Sequence, residues 1–181
     1  PSNEVEYFSC RIETPLIQAR PVMPDRSVVV RPERPQMVLP GEQALFFVSI
    51  PIWIQFELLR PDPVVLKTIP IVVRSSTWYG DPMSGEHCYV EKSSAAKVLT
   101  DIDCCDWQVM CPISLQNRAR TSLEVKRLCI QVRHLGVFQG HERLWTHPVA
   151  IVNEDGAETL EASYERKPPT WEPIVGTLSE P

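Results

Sequence analysis

The sequence predicts an all-β protein, an antiparallel β-sandwich made of two halves packed together. Apolar residues recur with a period of two in one stretch after another, which places them on one face of a strand. Helical periodicity is poor throughout. The chain carries 18 prolines against 7 glycines in 181 residues, and a proline inside a helix removes a hydrogen bond and clashes with the preceding turn.

The elements follow in order. SVVVRPERPQMVLPGEQALFFVSI reads as strand, turn, strand, with the turn at Leu39-Pro40-Gly41-Glu42, where proline presets φ and glycine supplies a positive one. In IPIWIQFEL, Ile52, Ile54, Phe56 and Leu58 alternate with Trp53, Gln55 and Glu57. WYGDPMSGEHCY, Trp78 to Tyr89, is a turn between two extended segments. Ser93–Thr100 is the best helical candidate, long enough for one or two turns. In VMCPISLQN, Val109, Cys111, Ile113 and Leu115 point one way, and Met110, Pro112, Ser114 and Gln116 the other. NRARTS is a polar turn. In LEVKRLCIQV the apolar parity changes between Val125 and Leu128, as a β-bulge near Lys126–Arg127 would cause. PVAIVN and AETLEASYE flank Glu154-Asp155-Gly156, a strong hairpin signal that turns Leu160, Ala162 and Tyr164 inward. KPPTWEPIVGTLSEP reads as an extended tail.

Ile50-Pro51-Ile52, Ile69-Pro70-Ile71 and Cys111-Pro112-Ile113 repeat an apolar–Pro–Ile pattern, expected at strand starts, edges or bulges because proline lacks a ladder donor. The pairs PxxxLPGExxxFxV and PIxLxNxxxxxLxVxxLxIxV resemble strand pairs of immunoglobulin-like sandwiches. The expected organisation is an N-terminal half over residues 1–75, a C-terminal half over 76–168 and a proline-rich tail over 169–181, with the boundary near Ser75–Trp78.

Composition narrows the function. The net charge is −5 and no Lys/Arg block stands out, which argues against binding a nucleic acid backbone. No apolar run reaches the roughly 20 residues of a membrane-spanning helix, and PSNEVEYFSC lacks the basic start and apolar core of a signal peptide. Cys10, Cys88, Cys104, Cys105, Cys111 and Cys129 do not have the spacing of a small secreted scaffold. Cys111 and Cys129 sit in strand-like runs and read as buried thiols. A cytoplasmic, reducing location is expected.

The reactive side chains do not assemble a familiar signature. His87-Cys88 and Cys104-Cys105 are adjacent pairs, and neighbours on a strand face opposite ways. His141 and His147 have a finger-like spacing without the preceding pair of cysteines. The metal-binding candidates are therefore His87 and Cys88 with a histidine from His134, His141 or His147, without a dedicated metal or cofactor expected. Asp101, Asp103 and Asp106 read as an acidic turn rather than a calcium loop. A triad of Cys88, His141 and Asp81 can be written down, but no nucleophile elbow or phosphate loop supports it. Trp53, on the polar face of its strand, is the tryptophan expected at the surface, for a protein partner or, alternatively, a sugar ring.

Tyr79, Gly80, Pro82, Gly85 and Cys88 in the first turn motif, together with PISLQNRARTSLEVKRLCIQV and ERLWTHPVAIV, carry a family resemblance. The chain resembles a prokaryotic family of uncharacterised proteins, domain-of-unknown-function family four hundred and thirty-two. The arginine of that family's Cys-Arg-Tyr is missing, since Tyr89 follows Cys88 directly. The family brings no activity; the resemblance implies an accessory role at a membrane. The expected function is thus a non-catalytic, soluble protein-interaction or accessory module, with Trp53, Trp78 and Tyr79 at the contact surface and homo-oligomers allowed. The alternatives are a metal-binding protein or metal-dependent enzyme at His87/Cys88, and a carbohydrate-binding module.

Overall fold

A computed structural model describes residues 5–9, 14–59, 63–93, 95–99, 105–155 and 160–181. Cys10, Cys104, Asp101, Asp103 and Gly156, singled out above, lie outside the described residues. The described chain is all-β, as the period-two patterning predicts. Its strands are β1 (Ile17–Val22), β2 (Val28–Pro32), β3 (Gln36–Val38), β4 (Gln43–Pro51), β5 (Trp53–Leu58), β6 (Val64–Pro70), β7 (Ser76–Tyr79) and β8 (Glu86–Ser93). They continue with β9 (Gln108–Asn117), β10 (Leu123–Val125), β11 (Leu128–Ile130), β12 (Val137–Gly140), β13 (Leu144–Thr146), β14 (Val149–Asn153), β15 (Glu161–Tyr164) and β16 (Ile174–Ser179). A 3-10 turn, Val132–His134, follows β11. No helix among the described residues is long and apolar enough to cross a membrane. Ser93 ends β8, Ala95 takes a left-handed φ of 47° and Ala96 bridges to Phe47, so the described start of the expected helical segment is not helical.

Local chemistry explains the turns. Gly41 has φ of 77°, and Glu42 N–H donates to Leu39 C=O at 3.1 Å, closing the Leu39-Pro40-Gly41-Glu42 turn. Asn117 is buried with its amide fully used. Its Nδ2 donates to Val38 C=O and Thr121 C=O at 2.9 and 2.8 Å, while its Oδ1 accepts from Ala119 N–H and Asn153 Nδ2. That one side chain fixes the polar turn after β9.

Four sheets result, in the orders β1-β5-β6, β10-β3, β11-β2-β8-β7 and β15-β14-β9-β13-β12-β16, with β4 paired to the other edge of β9 in the last. The expectation of purely antiparallel sheets is corrected. β2 runs parallel to β8, and β13 and β14 both run parallel to β9. Parallel pairs join strands remote in sequence, and alternation within a strand carries no trace of them. The parity change in LEVKRLCIQV is likewise not a bulge. The chain breaks at Lys126–Arg127 and changes sheets, since β10 pairs with β3 and β11 with β2.

Pro112 lies inside the central strand β9. It stands opposite Phe47, whose N–H turns away to Ala96 C=O at 3.0 Å, so this is a pair without mutual hydrogen bonds. The nitrogen of Pro112 therefore faces β13 and β14, between Met110, the last partner of β13, and Ile113, the first partner of β14. The missing donor falls where no ladder bond is required.

β4 and β9 are buried on both faces, and their alternation serves two clusters. Phe46, Val48, Ile50, Val109, Cys111, Ile113 and Leu115 join the main core with Val28, Val30, Leu128, Ile130, Val149 and Ile151. Phe47 and Met110, on the other face, pack with Phe138 and Trp145. Each such large apolar side chain contributes about 1.5–3 kcal/mol of burial. The expected boundary near Ser75–Trp78 falls at the start of β7, yet β2–β8, β3–β10 and β4–β9 pair across it. The main core draws side chains from both sides of that point. The expected tail is extended but docked: β16 pairs with β12, and Trp171 stacks on Trp145 at 6.3 Å between ring centroids.

Candidate functional site

The β7–β8 hairpin and the strand β11 build the most chemically loaded region among the described residues. Within the hairpin, Trp78 stands opposite His87 and Tyr79 opposite Glu86. Its turn is held by Asp81, whose Oδ1 accepts Met83 N–H at 2.8 Å and whose C=O accepts Gly85 N–H at 2.7 Å and the Trp78 indole N–H at 3.0 Å. Gly80 takes φ of 100°. A Cβ on Gly85 would lie 2.5 Å from Tyr79 C=O, so only glycine fits there. The glycines and the aspartate of WYGDPMSGEHCY thus shape the turn. They leave the Trp78 ring 48 % exposed and Met83 at the tip 93 % exposed.

Along β8, alternate residues face opposite ways. His87 lies with Tyr89 and Glu91 on one side, where Arg26 approaches its Nδ1 at 3.3 Å. Glu86 and Cys88 lie on the other. The expected His87/Cys88 metal pair is corrected: the strand turns the two side chains apart. Cys88 instead meets Cys129 of β11, Sγ to Sγ 3.8 Å, and Cys129 Sγ lies 3.6 Å from Glu86 Oε1. The ligand atoms of Glu86, Cys88 and Cys129 all lie within 4.8 Å of one another. Ser27 Oγ–H donates to the second oxygen, Glu86 Oε2, at 2.8 Å.

Burial raises both thiols above their ordinary range. For Cys129 the neighbouring Cys88 and Glu86 add to it; for Cys88 the contact with Cys129 opposes it and Glu86 adds to it. Without a cation both are thiols at neutral pH, poor nucleophiles as they stand. The group opens on a cavity of about 630 Å³ walled by Tyr79, Arg127, Tyr164 and Gln131. Arg127 lies over the Tyr79 ring at 5.2 Å. Burial raises Tyr79 too, with Cys129 adding and Arg127 opposing.

The histidines stay apart from this group. His141 is exposed in the β12–β13 turn and borders a different cavity. His147 is buried between β13 and β14, where its Nδ1 accepts Gly136 N–H at 2.9 Å and its ring meets Phe138 edge-on. Burial lowers its pKa. Asp81 is occupied with its turn, so Cys88, His141 and Asp81 form no working triad. Cys111 is a fully buried core thiol, as its strand pattern predicts, with burial pushing it up to about 12. Cys129 is only partly buried, because it projects from the face of β11 opposite Leu128 and Ile130 and lines the cavity. Sequence reasoning missed Glu86 and Cys129, although the spacing of Glu86 and Cys88 by two places them on one strand face.

The other face of β8 carries a second unusual group. Glu91 is 4 % exposed, and its Oε2 lies 2.9 Å from Arg74 Nε, off the line of a hydrogen bond, so neither atom has a hydrogen-bond partner. Arg74 also lies over the Trp107 ring at 5.8 Å. Trp53, expected at the surface, is half-buried here, its ring 6.0 Å from that of Tyr89 and walling a small apolar cavity of about 100 Å³. Tyr79 is half-buried under Arg127. Of the three aromatic residues expected at a contact surface, Trp78 is the one presented to solvent.

No curated protein and no solved structure gives a match to this chain. The family model for "Protein of unknown function (DUF432)" matches residues 2–180, essentially end to end, in keeping with the likeness carried by Tyr79, Gly80, Pro82, Gly85 and Cys88. The chain belongs to the DUF432 family.

Proposed function

We propose that this protein works by binding rather than by catalysis, and that its partner is a polypeptide strand added to the outer edge of β7. The observation that carries this is the edge itself. β7 is the last strand of the order β11-β2-β8-β7, and it presents the exposed Trp78 ring beside Met83. Unpaired edges recruit extended segments through main-chain hydrogen bonds, and a tryptophan beside them supplies side-chain selectivity. Tyr89 N–H donates inward to Ser27 C=O and Val90 N–H donates to Ser75 C=O, so Thr77 faces β8 while the N–H groups of Ser76 and Trp78 face outward. One further reading goes with this one. A main core shared by the seven-stranded sheet and the sheet β11-β2-β8-β7 supports an immunoglobulin-like sandwich.

The test places a photoreactive residue at Met83 and maps crosslinks in cells. One extended segment of one partner is expected. Trp78→Ala, and Ser76→Pro, which removes an outward N–H and spares the bonds to β8, each weaken the crosslink about 30-fold or more, as loss of a hot spot of about 2 kcal/mol implies. Crosslinks unchanged in both variants, or scattered over unrelated proteins, refute the proposal.

A further inference from the structure

We propose that Glu86, Cys88 and Cys129 form a binding site for one thiophilic divalent cation of the zinc class, with a fourth coordination position open to the cavity between β7 and β11. Three independent features converge on it.

The first is the spacing of the sulfurs. A tetrahedral zinc ion with thiolates at about 2.3 Å holds them about 3.8 Å apart, and it holds a thiolate and a carboxylate oxygen about 3.5 Å apart. The structure has Sγ–Sγ at 3.8 Å and Sγ–Oε1 at 3.6 Å. Both are the edges of such a tetrahedron.

The second is the backbone. Strand β2 lies between β8 and β11, so Cys88 and Cys129 project from strands two places apart in one sheet. Their sulfurs stand 3.8 Å apart, beyond the roughly 2.05 Å of a disulfide bond, so the pair is two separate thiols. A metal ion between the sulfurs bonds both with the strands in place.

The third is the support around the group. Ser27 Oγ–H holds Glu86 Oε2 at 2.8 Å, which leaves Oε1 aimed at the sulfurs. Such outer hydrogen bonds orient metal ligands and are worth about 10–100-fold in metal affinity. With three protein ligands and a cavity of about 630 Å³ beside them, the fourth position falls to water or a small anionic ligand, for which Arg127 supplies a neighbouring positive charge.

The experiment uses the purified full chain, stripped with a chelator under reducing conditions and titrated with Co²⁺, then with Zn²⁺ in competition. One equivalent of Co²⁺ with the intense visible bands of tetrahedral geometry and thiolate charge transfer is expected, displaced by Zn²⁺. Cys129→Ser, at a half-buried position that tolerates the change, abolishes the charge-transfer signal. Glu86→Gln weakens binding at least tenfold, Ser27→Ala weakens it about tenfold, and His87→Ala leaves it unchanged. In the wild type, bound Zn²⁺ also slows alkylation of Cys129 at least tenfold, a readout that does not depend on any variant folding. An octahedral spectrum, one equivalent retained in Cys129→Ser, a Cys88–Cys129 disulfide in the native protein, or no protection of Cys129 each overturns the proposal.

Discussion

Burial governs the chemistry of Glu91. Its carboxyl is removed from water, and burial moves its pKa from the ordinary 4.5 to about 7, with Arg74 opposing only in part. A carboxyl raised on folding holds its proton more tightly in the native state, so its contribution is fully present below the unfolded value and is lost as the pH rises through the folded one. Native stability should therefore lose about 3 kcal/mol from this group between pH 4.5 and 7. His147 acts in the opposite sense, since burial lowers it and its contribution fades as the pH falls. The difference between wild type and Glu91→Gln isolates the carboxyl: urea midpoints across that range should coincide at low pH, where Glu91 is protonated and as neutral as the amide, and separate at high pH, wild type lower. Cys111, pushed up to about 12, should resist iodoacetamide in the folded protein and react only in urea, as peptide mapping will show. Cys111 could be read as buried from its run of alternating apolar neighbours. Glu91 and Glu57 could not, because alternation assigns a charge to the wet face, and their partners come from elsewhere, Arg74 from the β6–β7 connection and Arg20 from β1.

Elements closed by short turns were legible, and those joined over long distances were not. The turn at Gly41 and the hairpins of β7–β8 and β14–β15 are local chemistry. The change of partner between β10 and β11, and the parallel pairs, depend on which distant strand arrives alongside. The C-terminal strand shows the same limit. Four prolines in KPPTWEPIVGTLSEP suggest a loose tail, but Trp171 meets Phe47 edge-on at 5.6 Å, and Glu172 Oε2 accepts the buried Trp145 indole N–H at 2.7 Å. Glu172→Ala strands that indole donor and should cost about 1–3 kcal/mol in urea unfolding. Trp171→Ala should cost about 2 kcal/mol, and red-shift the tryptophan emission as Trp145 is uncovered.

At the scale of the whole molecule the chain is interleaved. β2, β3 and β4, all early in sequence, find partners beyond residue 76, β2 on both edges, so four main-chain ladders among the described residues cross the middle of the chain. Unfolding should then be one cooperative transition, with fluorescence and far-UV circular dichroism coinciding in urea. Separate fragments 1–75 and 76–181 should each lack a sharp transition. The metal candidate follows the same geometry, since Glu86 and Cys129 meet only because β2 separates and aligns β8 and β11. The parallel pairing of β2 with β8, and its second flank on β11, also sets a clock for the growing polypeptide. Val28, Val29 and Val30 leave the ribosome about 100 residues before β11 is complete at Ile130, a delay of about 5–20 s at ordinary synthesis rates. Until β8 is complete at Ser93 a sticky valine strand has both edges bare, and one edge stays bare until β11 follows, so the newborn chain depends on helpers that shield such segments.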